Sequence, residues 1–82
     1  MDVYFITFRS VTLAQLGENT LRKAGIGCRL LRTPRWMEEQ GCGYCLRLRR
    51  EEMDSVLEIL QQGKVQFRKV YRQLDNGNVV AL

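Results

Sequence analysis

Asp2 to Phe8, DVYFITF, is the stretch that most narrows what this chain can fold into. β-Branched and aromatic residues run through it with little polar alternation, the pattern of a strand covered on both faces and therefore central in its sheet. The chain has 82 residues to supply its neighbours. That is enough for one domain (1–82, with a core over 1–74 and a turn and tail strand over 75–82) and one small core, and too few for a deep catalytic cleft. A composition of 45% hydrophobic and 27% charged residues is that of an ordered globule, without repeats or low-complexity tracts.

Arg9 closes the strand, and Ser10 and Thr12 are both candidate N-caps for a helix running to about Ala24; Thr12 and Gln15 have the spacing of a capping box. Leu13, Leu16, Thr20, Leu21 and Ala24 form the inner stripe of this helix. Arg22 and Lys23 favour the negative end of its dipole, and Gly25 is placed for a left-handed stop. Gly17 either weakens the helix slightly or lets it approach the sheet closely. Ile26 to Arg32 reads as a second strand with Ile26, Cys28 and Leu30 on one face. Tyr44 to Arg49 alternates, with Tyr44, Leu46 and Leu48 inward and Cys45, Arg47 and Arg49 facing away from the helices.

Arg50 to Gln62 carries Met53, Val56, Leu57 and Leu60 at helical spacing behind Glu51, Glu52 and Asp54, with Gly63 as its stop. Val65 to Arg72 is a further strand whose alternation breaks at Lys69, through a bulge or a snorkelling side chain. Asn76-Gly77 is a hairpin-turn signal, so Val79 to Leu82 folds back as a short extra strand or pairs with another chain. The order β-α-β-β-α-β with right-handed crossovers predicts an α+β, ferredoxin-like sandwich: a four-stranded antiparallel sheet with two helices on one face, and a short C-terminal strand if the tail folds back. The other sheet face is then open to water, a partner subunit or a ligand.

The connector between the second and third strands lies at an end of that sheet. Thr33 to Cys45, TPRWMEEQGCGYC, holds the only proline, the only tryptophan and two of the 3 cysteines. Pro34 fixes its own φ and restricts its predecessor, and Gly41 and Gly43 let the backbone turn around Cys42, so that sulfur belongs on a tight, accessible tip. Arg35, with Arg32 at the strand end, lowers the thiol pKa, while Glu38 and Glu39 raise it if they fold close. Trp36 shelters the sulfur, anchors a partner, or caps the edge of the core.

Cys42-Gly43-Tyr44-Cys45 is formally a CxxC, but it leads from a loop into a strand instead of opening a helix. With 3 cysteines and no histidine the chain falls short of the four ligands of a closed zinc site, so no metal is expected. Cys28, on the core-facing parity, reads as a small buried hydrophobe. Cys45, exposed by parity, is either a resolving thiol for an oxidised Cys42 or a plain strand residue.

An odd number of cysteines points to free thiols in a reducing compartment. No apolar run approaches the roughly 20 residues that span a bilayer, and no basic leader precedes an apolar core near Met1, so a cytoplasmic protein without a membrane span is expected. A net charge of +4 suits an anionic partner. Arg29, Arg47 and Arg49 share the outward parity and make the open sheet face basic, as in RNA-recognition modules. GYCLRLR, however, matches the third strand of those modules only at Gly43-Tyr44, and Tyr44 points inward. A solvated arginine face is the simpler reading, and nucleic acid is not the expected partner.

YFITF, a helix closing with KAGI, a strand leading into TPR, a short polar loop, then CG and a strand running into a helix and a closing VYR together resemble the selenium/sulfur carrier protein-like family of small bacterial domains. The likeness spans about Val3 to Arg72. The family's proline-arginine pair, followed after several residues by cysteine-glycine, falls on Pro34, Arg35, Cys42 and Gly43. The resemblance implies that Cys42 holds sulfur or selenium as a persulfide or selenopersulfide, with no other cofactor, for transfer to a partner enzyme. Glu38, Glu39 and Gln40 stand where small, hydroxyl-rich residues are expected, and Trp36 and Cys45 are unusual.

On this reading the chain is a carrier and not an independent enzyme. It draws on a cysteine desulfurase-like donor and serves an acceptor protein, with Cys45 placed to release the cargo. Two alternatives stand beside it. One is a noncatalytic module that uses the arginine face for RNA or another anion. The other is a homodimerising regulatory domain joined through the open sheet face or the tail strand.

Overall fold

Residues 2–34 and 43–82 are described by the computed structural model of the protein. The elements are β1 (Asp2–Phe8), α1 (Val11–Lys23), β2 (Arg29–Arg32), β3 (Tyr44–Arg50), α2 (Asp54–Gln62), β4 (Val70–Gln73) and β5 (Val79–Ala81). The strands make one antiparallel sheet in the order β2-β3-β1-β4-β5, with β1 in the middle as its unbroken apolar run requires. The fold is thus α+β with two helices and a five-stranded sheet. The tail supplies the strand beyond the expected four. Gly77 takes φ 89°, the Leu74 amide donates to the Asn78 carbonyl at 2.6 Å, and Gln73 then pairs with Val79.

Tyr4, Ile6 and Phe8 of β1, Leu46 and Leu48 of β3 and Val70 of β4 pack against Ala14 and Leu21 of α1 and Val56 and Leu60 of α2, so both helices cover one sheet face. The opposite face is less open than expected. Phe5 and Cys45 are buried there, with Val3, Leu31, Tyr71 and Val79 packed around them. None of the helices among the described residues is long and apolar enough to cross a membrane.

Both helices end in the same way, and this shortens the strands that follow. Beyond α1, Gly25 (φ 81°) donates to the Arg22 carbonyl at 3.0 Å and Ile26 donates to Leu21 at 2.9 Å. Beyond α2, Lys64 (φ 57°) donates to Gln61 at 3.0 Å and Val65 to Leu60 at 2.9 Å. These are paired Schellman closures, in which Ile26 and Val65 serve as the apolar residue after the left-handed one. Both are therefore buried but held by the helix end, so β2 begins at Arg29 instead of Ile26 and β4 at Val70 instead of Val65. After α2 the left-handed position belongs to Lys64, since Gly63 has φ −79°.

Other boundaries shift for local reasons. Ser10, not Thr12, caps α1, accepting from the Leu13 amide at 3.2 Å. Leu16 is exposed instead of lining the inner stripe, and Gly17 is buried in its place. A Cβ at Gly17 would lie 2.9 Å from Phe8 Cζ and 3.3 Å from Leu46 Cδ1, so the missing side chain is what lets α1 sit down on β1 and β3. Arg50 belongs to β3, opposite Asp2, and α2 starts at Asp54. At the predicted break, Arg68 and Lys69 together oppose Thr7. The Thr7 carbonyl accepts from Arg68 at 2.7 Å, its amide donates to the Lys69 carbonyl at 2.9 Å, and the Lys69 amide turns to Thr7 Oγ1 at 3.0 Å, which is a bulge.

Candidate functional site

The connector leaves and re-enters the sheet at one tied point. β2 and β3 pair as far as Arg32 opposite Tyr44, and one residue on the Thr33 amide donates to the Gly43 carbonyl at 3.0 Å. Thr33 and Gly43 are both buried and Pro34 is half-buried. Arg35, Trp36, Gly41 and Cys42 lie outside the described residues, as do Glu38, Glu39 and Gln40. Cys42 is nonetheless bonded directly to Gly43, whose own position is anchored. Phe8 opposite Tyr44 is the last pair of β1 with β3, so Arg9 and the capped start of α1 emerge at the same end of the sheet as Gly43.

Cys45 faces away from the helices, as its parity requires, but the expected exposure is corrected: it is 0% exposed. Its register explains this. Cys45 lies between Leu31 of β2 and Thr7 of β1, with Phe5 packed beside it, so apolar neighbours cover the small side chain from within its own sheet. Burial pushes the thiol above the ordinary range, and the Thr33 side chain beside it pulls partly back. Thr33 Oγ1 is itself buried and, among the described residues, has no hydrogen-bond partner of good geometry. At neutral pH Cys45 is a protonated, sequestered thiol.

Cys28 is half-buried rather than fully enclosed and packs against the main core. Burial is the main cause that raises its pKa; Arg22 lowers it and Glu18 raises it further. The Arg22 guanidinium also donates to the Cys28 carbonyl at 3.0 Å, tying the end of α1 to the start of β2.

Arg29, Arg47 and Arg49 do fall together. Arg29 is directly opposite Arg47, and Arg49 lies two residues on, opposite Val3, all on the face that holds Cys45. Arg29 and Arg49 are exposed and Arg47 is half-buried. Like charges directly opposed across two strands repel, so this cluster is a place where an anion is favoured. Sequence reasoning missed a second cationic feature: a cavity lined by Arg9, Leu13 and residues 65–69, at the Arg9 end of β1. Its only sequence signal is the broken alternation at Lys69.

With the tied base of the connector in place, comparison with known families becomes informative. Residues 3–72 match the family described as "Putative Se/S carrier protein-like". The chain belongs to that family. The match includes Pro34, Arg35, Cys42 and Gly43 and ends within β4, so β5 lies beyond it. No curated protein and no solved structure gives a match. For a member of the Se/S carrier-like family, the relevant geometry is that Pro34 and Gly43, which flank the motif loop, are held at the end of a paired β2–β3 ladder next to the central strand.

Proposed function

We propose that this protein carries sulfur or selenium as a persulfide or selenopersulfide on Cys42 and hands it to a partner enzyme. The observation that carries the reading is family membership across residues 3–72, with the motif cysteine one peptide bond from the anchored Gly43. The scaffold is taken as ferredoxin-like, supported by the β2-β3-β1-β4 order of the first four strands and the two helices on one face.

Loading is a sulfane transfer. The Cys42 thiolate attacks the terminal sulfur of a donor persulfide, such as that of a cysteine desulfurase. The donor's S–S bond breaks, its cysteine leaves as a thiolate, and Cys42 gains one S–S bond, with no net oxidant or reductant. Release by an acceptor thiolate repeats the same exchange. Release through Cys45 would instead form a Cys42–Cys45 disulfide and expel hydrosulfide, and an external dithiol would then reduce the disulfide. The burial and raised pKa of Cys45 disfavour this in the resting protein.

Incubation with a cysteine desulfurase and cysteine should add one sulfur mass to Cys42 in the wild type and in Cys45→Ser, and none to Cys42→Ala. An unmodified Cys42, or equal loading of Cys42→Ala, defeats the reading. The opposed Arg29 and Arg47 favour a second one, a noncatalytic anion-binding module. It requires salt-dependent association that weakens in Arg47→Ala or Arg49→Ala and is indifferent to Cys42→Ala.

A further inference from the structure

We propose that the outer edge of β5 joins two copies of this chain, the two β5 strands pairing antiparallel about a two-fold axis at Val80 so that the sheet continues from one copy into the other. This inference is independent of the carrier reading and uses no cysteine.

β5 is the last strand of the sheet, and its register fixes which of its main-chain groups β4 already uses. The Asn78 carbonyl accepts from the Leu74 amide at 2.6 Å and the Leu82 amide donates to the Val70 carbonyl at 2.9 Å, with Val80 opposite Arg72 between them. Positions 78, 80 and 82 therefore turn their N–H and C=O groups toward β4, and those of Val79 and Ala81 point to the outer edge. Among the described elements β5 packs against β4 alone, and Val80, Ala81 and Leu82 are exposed. Such a row of outward donors and acceptors is a template for another strand.

The strand that fits this spacing is β5 itself. Two outward residues flanking one inward residue are self-complementary: with Val80 on the axis, Val79 meets the partner's Ala81 and Ala81 meets the partner's Val79, and every outward group is used. An axis at Val79 or Ala81 would use only half of them. The side chains agree with the register. Val80 (41% exposed) comes to lie against its own counterpart, and it and Leu82 (67%) are two of the three exposed large apolar residues among those described. On the opposite face Val79 already packs with Phe5 and Tyr71, and the partner's Ala81 lengthens that apolar strip.

Charge selects this edge over the other. β5 carries no charged residue, and Arg72, directly opposite Val80, is paired with Asp2 at 3.1 Å. The far edge of the sheet is β2, which has the exposed Arg29 and Arg32 at its two ends, the kind of side chain that keeps an edge from pairing. A three-residue strand makes a small contact, so the dimer is a reversible one with a Kd on the order of 0.1–1 mM.

Sedimentation equilibrium and amide-resolved NMR of the full chain over rising concentration, with reductant present, test this. The mass should rise toward a dimer and no further, since a two-fold contact closes on itself. Concentration-dependent protection from hydrogen exchange should fall on the amides of Val79 and Ala81 and spare that of Val80, which already faces β4. Ala81→Pro removes only an outward N–H and should be monomeric with the β4–β5 pairing intact. Val80→Lys and Val80→Glu, at an exposed side chain, should each be monomeric alone, yet associate about fivefold or more tightly with each other than with themselves when mixed, because the axis sets residue 80 against its counterpart. Cys42→Ala should dimerise as the wild type does. A monomer at every concentration, growth beyond a dimer, wild-type association of Val80→Lys, no association in the mixture, or protection centred on β2 would each overturn the proposal.

Discussion

Replacing Lys64 by glycine should stabilise the protein, although the substitution removes a charge and a long side chain from an exposed site. Lys64 is the left-handed residue that closes α2, at φ 57°, the only non-glycine residue of positive φ among those described. Left-handed geometry costs a residue with a Cβ roughly 1–2 kcal/mol. Glycine removes that strain but adds unfolded-state freedom that costs roughly 0.5–1 kcal/mol. The difference leaves Lys64→Gly more stable by about 0.5–1 kcal/mol, or about 2–8 °C in Tm for a domain of this size. The matching closure of α1 supplies the control, because there the left-handed position is already Gly25, at φ 81°, with open space around a would-be Cβ. Gly25→Ala should therefore lose a similar amount through backbone strain alone. Thermal and urea unfolding followed by circular dichroism, with unchanged m-values, measures both. If Lys64→Gly lowers Tm, or Gly25→Ala leaves it unchanged, the backbone closures do not contribute as argued.

Gly17→Ala tests the contact between α1 and the sheet: helix propensity favours alanine by about 1 kcal/mol, but overpacking against Phe8 and Leu46 costs about 1–3 kcal/mol, so a net loss near 1 kcal/mol is expected. In a Phe8→Leu background the loss should shrink or reverse, and an unchanged loss would clear the Phe8 ring of responsibility. Cys45 should resist iodoacetamide at neutral pH in the native protein and react once denaturant is added; rapid native alkylation would contradict its burial. Because its folded pKa is raised, the stability it contributes is complete below the unfolded thiol pKa and is lost as pH rises toward the folded one, so Cys45→Ala should flatten the alkaline decline in Tm.

Local patterning made much of this protein legible. The uninterrupted DVYFITF run named the central strand because only a strand with neighbours on both edges and cover on both faces tolerates such a sequence. Alternation in Tyr44 to Arg49 placed Cys45, Arg47 and Arg49 on one face, since parity along a strand is fixed by the backbone. Family membership was readable too, because it rests on the order and spacing of short motifs along the chain, TPR and CG among them.

Long-range packing set the remaining features. Parity told which way Cys45 points but not that Leu31, Thr7 and Phe5 would close over it, because burial depends on residues brought alongside by pairing. Helix periodicity placed Leu16 inside, whereas the approach of α1 to Phe8 at Gly17 rotated the buried stripe away from it. The strands after each helix read as longer than they are, because a Schellman closure uses an apolar residue just as a strand does. The sequence alone therefore determined the order, parity and family of the chain, which depend on neighbours along the backbone. Only the tertiary structure decided that Cys45 is a sequestered thiol and that Arg9 meets Lys69 around a cavity, since the first depends on β1 and β2 pairing on either side of β3 and the second on segments some sixty residues apart meeting at Thr7.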